Sequence, residues 1–135
     1  IKKAALPANP SANAKSALKA IQFFPLEAVT VTLSTTKLSI AVGEALDVSH
    51  TVRVYISGTT FRPEAATLTN WTIVGETTTK VVVTDIAVAS DGSYVDITTE
   101  NSAAAVAGSV TVVPAAAATA TGDVPAAAIA IATVA

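Results

Sequence analysis

Few residues in this chain could do chemistry. His50 is the sole histidine, and a Ser-His-Asp arrangement would need it oriented by an acid such as Asp47, with a nucleophile held beside it. No Gly-x-Ser-x-Gly elbow occurs to present one. Strand parity puts His50 on the face of Val48, Val52 and Val54. A buried or rim histidine satisfied by a nearby carbonyl is the plainer reading there. One histidine and no cysteine cannot fill a zinc site. Asp85, Asp91, Asp96, Glu100 and Asp123 could meet at loop ends around Ca²⁺, but the closely spaced acidic loop of a strong calcium site is missing. Asp85 and Asp96 lie on the two arms of one hairpin and form the candidate calcium pair, set against solvated rim charges. Paired carboxylates for glycoside hydrolysis would need a cleft lined with aromatics, and the aromatic content is 4%. Asn70-Trp71-Thr72 is a formal glycosylation sequon, with a Trp at its centre that favours burial. The expectation is a chain that is not an enzyme, with no catalytic residue, no cofactor and no metal beyond that calcium pair.

The elements that must position these residues read as strands. Lys80-Val-Val-Val-Thr-Asp-Ile-Ala-Val-Ala-Ser90, then Asp91-Gly92, then Ser93-Tyr-Val-Asp-Ile-Thr-Thr99 is a hairpin signal, because a primed two-residue turn needs the positive φ that Gly and Asp tolerate. Trp71, the one tryptophan, sits ahead of it and should centre a core with Val83, Ile86, Val88, Val95 and Ile97. Val29, Val31 and Leu33, then Leu38, Ile40 and Val42, then Val48, Val52, Val54 and Ile56 alternate with polar or small residues, as half-buried strands do. Val110 to Val113 and Ala126 to Val134 complete seven or eight strands. Before them, Pro7 and Pro10 mark an extended arm, and Ser11 caps a helix expected over Ala12–Gln22, which ends at Phe23-Phe24-Pro25. Nothing after Phe24 reads as helical. The pattern is an all-β, antiparallel sandwich with a short N-terminal helix and extended terminal arms. The division is residues 1–28 as arm and helix, 29–113 as sandwich, and 114–135 as an Ala-rich hinge with a C-terminal strand.

At 135 residues the chain fits one domain. Hydrophobic residues make up 51% against 13% charged, the excess coming from Ala, Val and Ile, as in a subunit that buries surface against copies of itself. A net charge of −2, with Lys gathered in the first twenty positions, gives no footprint for nucleic acid. Methionine is absent even at position 1, so loss of a leader or pro-segment is expected. Gly108, Pro114, Gly122, Asp123 and Pro125 break up the apolar C-terminal third, which leaves no run near the ~20 residues of a spanning helix, and membrane insertion is not expected.

The run Val29-Thr-Val-Thr-Leu-Ser-Thr-Thr-Lys-Leu-Ser-Ile-Ala-Val-Gly-Glu-Ala-Leu-Asp-Val48 resembles the opening strands of bacterial immunoglobulin-like domains of the group 2 type. Asn70-Trp-Thr-Ile73 and Ala107-Gly-Ser-Val-Thr-Val-Val113 are similar to segments of surface-repeat domains of that kind. The resemblance implies an immunoglobulin-like sandwich over about Val29 to Val113 and a place on an extracellular or cell surface, in an S-layer-associated protein, or in a phage virion. Two functions follow as expectations. One is a structural subunit of a self-assembling surface layer or filament, with copies of itself as partners. The other is a non-catalytic binding module for carbohydrate or protein adhesion. For assembly the candidate residues are Phe23, Phe24, Ile129, Ile131 and Val134: Ala126–Ala135 has no wet face, and a strand of that kind must be covered on its own sheet or on a neighbour's open edge.

Overall fold

Period-two alternation from Thr32 onward is realised as two packed sheets in the computed structural model, which describes residues 29–135. The strands are β1 (Thr32–Thr35), β2 (Leu38–Ile40), β3 (Ser49–Ser57), β4 (Trp71–Val74), β5 (Val81–Val88), β6 (Tyr94–Asn101), β7 (Gly108–Pro114) and β8 (Ile129–Val134). One sheet runs β1-β3-β6-β5 and the other β2-β8-β7-β4. The expected helix at Ala12–Gln22, with Phe23 and Phe24, lies outside the described residues.

The core lies between the sheets. Trp71, Val83, Ile86, Val95 and Ile97 are buried there and Val88 packs against them. Val83 and Ile86 are three residues apart, a spacing that an unbroken strand would send to opposite faces. A bulge between Val83 and Asp85 restores both to the interior and leaves Thr84 and Asp85 exposed. A second bulge, between Val110 and Thr111 on β7 and Ala132 and Ala130 on β8, leaves the adjacent Ile131 and Ala132 both fully buried.

Several expectations need correction. The sandwich is not wholly antiparallel, since β2 pairs β8 in parallel, Leu38 opposite Ala132 and Ile40 opposite Val134. The chain after Phe24 has helical turns: a single α-turn at Glu76–Thr79 and 3-10 turns at Pro63–Ala66, Leu68–Asn70 and Ala116–Ala118. The β5–β6 connection is not a two-residue primed turn. Asp91 has no positive φ, and the amide of Gly92 (φ +73) donates to the Ala89 carbonyl across a four-residue turn. Gly92 is required for space as well, because a Cβ there would lie 2.5 Å from the Phe61 carbonyl oxygen.

The boundary at residue 113 also moves. β8 is hydrogen-bonded on both sides within its own sheet, to β2 and β7, so the C-terminal strand is part of the sandwich. Ile131 and Val134 are buried in that core and Ile129 packs against it, which removes this strand from the set free to pair with a neighbour. A strand with no wet face is satisfied when its edges are paired at home and the opposing sheet covers its inner side.

The register orients the molecule. Thr32 faces Ser57 and Trp71 faces Pro114, so Val29 and loops 58–70, 89–93 and 115–128 gather at one end, the Trp71 end. Loops 41–48, 75–80 and 102–107 gather at the other, the Glu44 end, where Ala135 also lies: its amide donates to the Ile40 carbonyl and its carbonyl accepts from the Val42 amide. The described chain enters at one end and leaves at the other.

Candidate functional site

Among the described residues, two places bring chemistry-bearing side chains together, and a third forms a groove. The first is at the Glu44 end. β3 starts there and β6 finishes there, with His50 opposite Thr99. The loop before β3 turns back through Asp47, which adopts φ +69, and its amide donates to the Asn101 carbonyl. That folds Glu44 over the strand ends. Glu44 Oε1 accepts from His50 Nε2 at 2.8 Å and from Asn101 Nδ2 at 2.9 Å. Asn101 Nδ2 is also within 3.0 Å of the Ala45 carbonyl. This fixes the orientation of the amide, since a reversed one would aim its oxygen at the Glu44 carboxylate and the Ala45 carbonyl. His50 carries its proton on Nε2 for the same reason. These hydrogen bonds, His50 first and against the opposing effect of partial burial, hold the Glu44 carboxyl below its ordinary 4.5.

His50 thus falls on the Val52 and Val54 face, half-buried near the start of its strand, as parity indicates. Its partner is Glu44, neither a carbonyl nor Asp47. Among the described residues it makes no other side-chain hydrogen bond, and the hydroxyl of Thr99, its cross-strand neighbour, is not bonded to it. Glu44 and Asn101 were missed by sequence reasoning. They lie 57 residues apart, and only the pairing of β3 with β6 brings them together. The arrangement is a latch. It ties loop 41–48 to the end of β6, with Asn101 Oδ1 and Thr99 Oγ1 buried and unpaired beneath it.

The second place is the outer face of the β1-β3-β6-β5 sheet. Arg53 faces Asp96 and Tyr55 faces Tyr94 across β3 and β6. Arg53 makes a bidentate pair with Asp96, Nε–Oδ1 2.8 Å and a terminal nitrogen to Oδ2 3.0 Å, and lies 3.8 Å over the Tyr94 ring. The pair lowers the Asp96 carboxyl and raises the Arg53 guanidinium. Tyr55 meets Tyr94 edge-on at 5.7 Å, so both tyrosines of the chain share this face. The candidate calcium pair is not assembled here. Both Asp96 oxygens are held by Arg53, while Asp85 stands opposite Thr98 on the exposed side of β5. Asp91 is engaged too, its Oδ1 accepting from the Ser93 amide and hydroxyl, which lowers its carboxyl. The Asn70 side chain of the sequon donates to the Glu64 carbonyl at 2.9 Å, and Trp71 beside it is buried.

The third place is a groove of about 280 Å³ between Thr30–Leu33 and Pro125–Ile129. No titratable side chain lines it.

Comparison with known proteins adds a fold. No protein-family model and no curated protein matches the sequence. Among solved structures the chain is similar to part of chitinase ChiW from Paenibacillus sp. str. FPU-7, described as a novel type of bacterial cell-surface-expressed multi-modular enzyme machinery. The TM-score is 0.56 at 14% identity, over 84% of this chain. The match spans 14% of the chitinase chain, so the likeness is one of fold, to a part of that protein.

Proposed function

We propose that this chain is a non-catalytic, immunoglobulin-like structural module of a bacterial cell-surface protein, working through a rigid core and two distinct ends. The course of the chain carries the reading. It enters the sandwich at the Trp71 end and leaves at the Glu44 end, the geometry in which such units can stand end to end. Three observations support the immunoglobulin-like assignment. The order β1-β3-β6-β5 matches the A-B-E-D sheet of constant-type immunoglobulin domains, β8-β7-β4 matches G-F-C, and β2 lies beside G. Trp71 is buried on the strand that corresponds to C, where those domains carry their core tryptophan. The Val29–Val48 run has the group 2 resemblance. A cell-surface setting is supported by the expression of the similar chitinase at the cell surface. A self-assembling layer or filament is the narrower form of the same function.

The Tyr55, Tyr94 and Arg53 face favours a second reading, a binding module whose exposed ring stacks on a sugar or a partner protein. One assay separates the two. Full-length protein is mixed with insoluble polysaccharides, chitin among them, beside a Tyr55→Ala variant. The structural reading expects both to stay in the supernatant. Retention of the parent but not of Tyr55→Ala would replace it with the binding reading.

A further inference from the structure

The Glu44 end carries an apolar tip that the described residues leave exposed. Val42 is 56% exposed, Leu46 55% and Val106 45%. Their loops are zipped together: Gly43 donates to the Ala105 carbonyl, Ala105 to the Glu44 carbonyl and Val106 to the Thr79 carbonyl. The tip is therefore held as one surface, with the latch of Glu44, His50 and Asn101 beneath it. Among the described residues this end also carries Asp47, Glu76 and Glu100 against one lysine, Lys80, with the Glu44 carboxylate engaged in the latch.

The charge of the chain is divided unevenly. Residues 29–135 carry Lys37, Arg53, Arg62 and Lys80 against nine acids, a net −5, while residues 1–28 carry Lys2, Lys3, Lys15 and Lys19 against Glu27, a net +3. The same 28 residues supply Phe23 and Phe24, two of the three phenylalanines. A basic segment with an aromatic pair has its complement in an acidic rim around an apolar tip.

Reach decides whose tip it is. Residues 1–28 lead into the Trp71 end, and β3, nine residues long, spans about 30 Å between the ends. Phe24 lies five residues before Val29, a span of at most about 18 Å when fully extended. Phe23 and Phe24 therefore cannot reach the Glu44 end of their own sandwich.

We infer that residues 1–28 of one copy dock on the Glu44 end of a second copy, Phe23 and Phe24 against Val42, Leu46 and Val106 and Lys15 and Lys19 against the acidic rim. The contact is head-to-tail, so repetition extends it into an open filament. The inference rests on the structural-module reading and gives it a mode of assembly. It needs no exchanged strand, in keeping with β8 being paired at home.

The test uses the full chain in sedimentation velocity over a concentration series. The parent should self-associate, at least tenfold more weakly in 0.5 M than in 0.05 M salt, since the pairing is partly between exposed charges. Lys15→Glu/Lys19→Glu and, separately, Asp47→Lys/Glu100→Lys should each weaken association at least tenfold. Mixing the two variants should restore it, because each supplies the charge the other now needs. Val42→Ala/Leu46→Ala should also weaken it, with thermal unfolding unchanged to show an intact fold. A parent monomeric throughout, association that survives both charge reversals, or a mixture that stays monomeric would overturn the inference. None of these readouts depends on Tyr55, so failure here is separate from failure of the module reading, which the polysaccharide assay decides.

Discussion

At the Trp71 end the sandwich is closed by rings: Phe61 lies 5.6 Å from Trp71, and the indole Nε1 donates to the buried Ala65 carbonyl at 2.7 Å. At the Glu44 end it is closed by a carboxylate, an imidazole and an amide that share one oxygen. An apolar plug is non-directional and tolerates small shifts, whereas a polar latch works only in one geometry and leaves groups stranded when one member is lost. The difference teaches where change can be tolerated. A fixed polar underlayer holds the Glu44 tip in one shape. The plugged end supplies stability.

The sharpest way to break the contrast is to remove the plug. Trp71→Ala deletes a ring that Phe61, Ala65 and the core enclose, and should cost about 3–5 kcal/mol in urea unfolding, among the largest effects of any single change. A loss below about 1 kcal/mol would mean that this end is not the stabilising one.

Next comes the latch. Asn101→Ala removes the donor to Glu44 and Ala45 and should cost about 1–3 kcal/mol, partly offset because its Oδ1 is already unpaired. Asn101→Asp should be worse than Ala. It sets a second carboxylate against Glu44 and the Ala45 carbonyl, where an amide is close to the same size. If Asp is tolerated as well as Ala, directionality is not what holds this end.

Much of the plugged end is legible in the sequence and little of the latch is. Trp71, Val95 and Ile97 are recognisable as core because large apolar residues in an alternating run have one place to go. Bulges escape that logic. The extra residue at Thr84 or Ile131 changes parity only once a partner strand is known. β8 shows the same limit, since an apolar strand must be covered and its sequence does not say by which sheet. The parallel pairing with β2 is a matter of topology. Glu44 and Asn101 carry no spacing signal at all, and a one-residue slip of β3 against β6 would turn His50 outward and separate them.

A smaller effect sharpens the latch by pH. The Glu44 carboxyl is held below its ordinary 4.5, so its contribution is present above that value and is lost as pH falls through the lower folded value. Glu44→Gln should lower stability near neutrality by about 1 kcal/mol, and the gap to the parent should close as pH falls below the ordinary 4.5 and the folded carboxyl protonates. Parallel stability curves for the two proteins from pH 3 to 7 would show that the carboxylate charge is not part of the latch.

The smallest expected effect belongs to the sheet face between the two ends and calibrates them both. Arg53 and Asp96 form a bidentate pair with distances like those of the latch, yet their side chains are 44% and 32% exposed. Water screens the attraction, and holding Arg53 in place costs rotamer freedom, so a double-mutant cycle with Arg53→Ala and Asp96→Ala should give a coupling smaller than the loss from Glu44→Gln, and smaller still in 0.5 M salt. The Asp96 share follows pH as Glu44 does. It is present above the ordinary 3.8 and is lost as the carboxyl protonates below it. Loss of Arg53 also uncovers the Tyr94 ring. If the coupling instead matched the loss from Asn101→Ala and resisted salt, the face would rank with the ends as a structural element, and geometry would outweigh burial in deciding which polar contacts hold this fold.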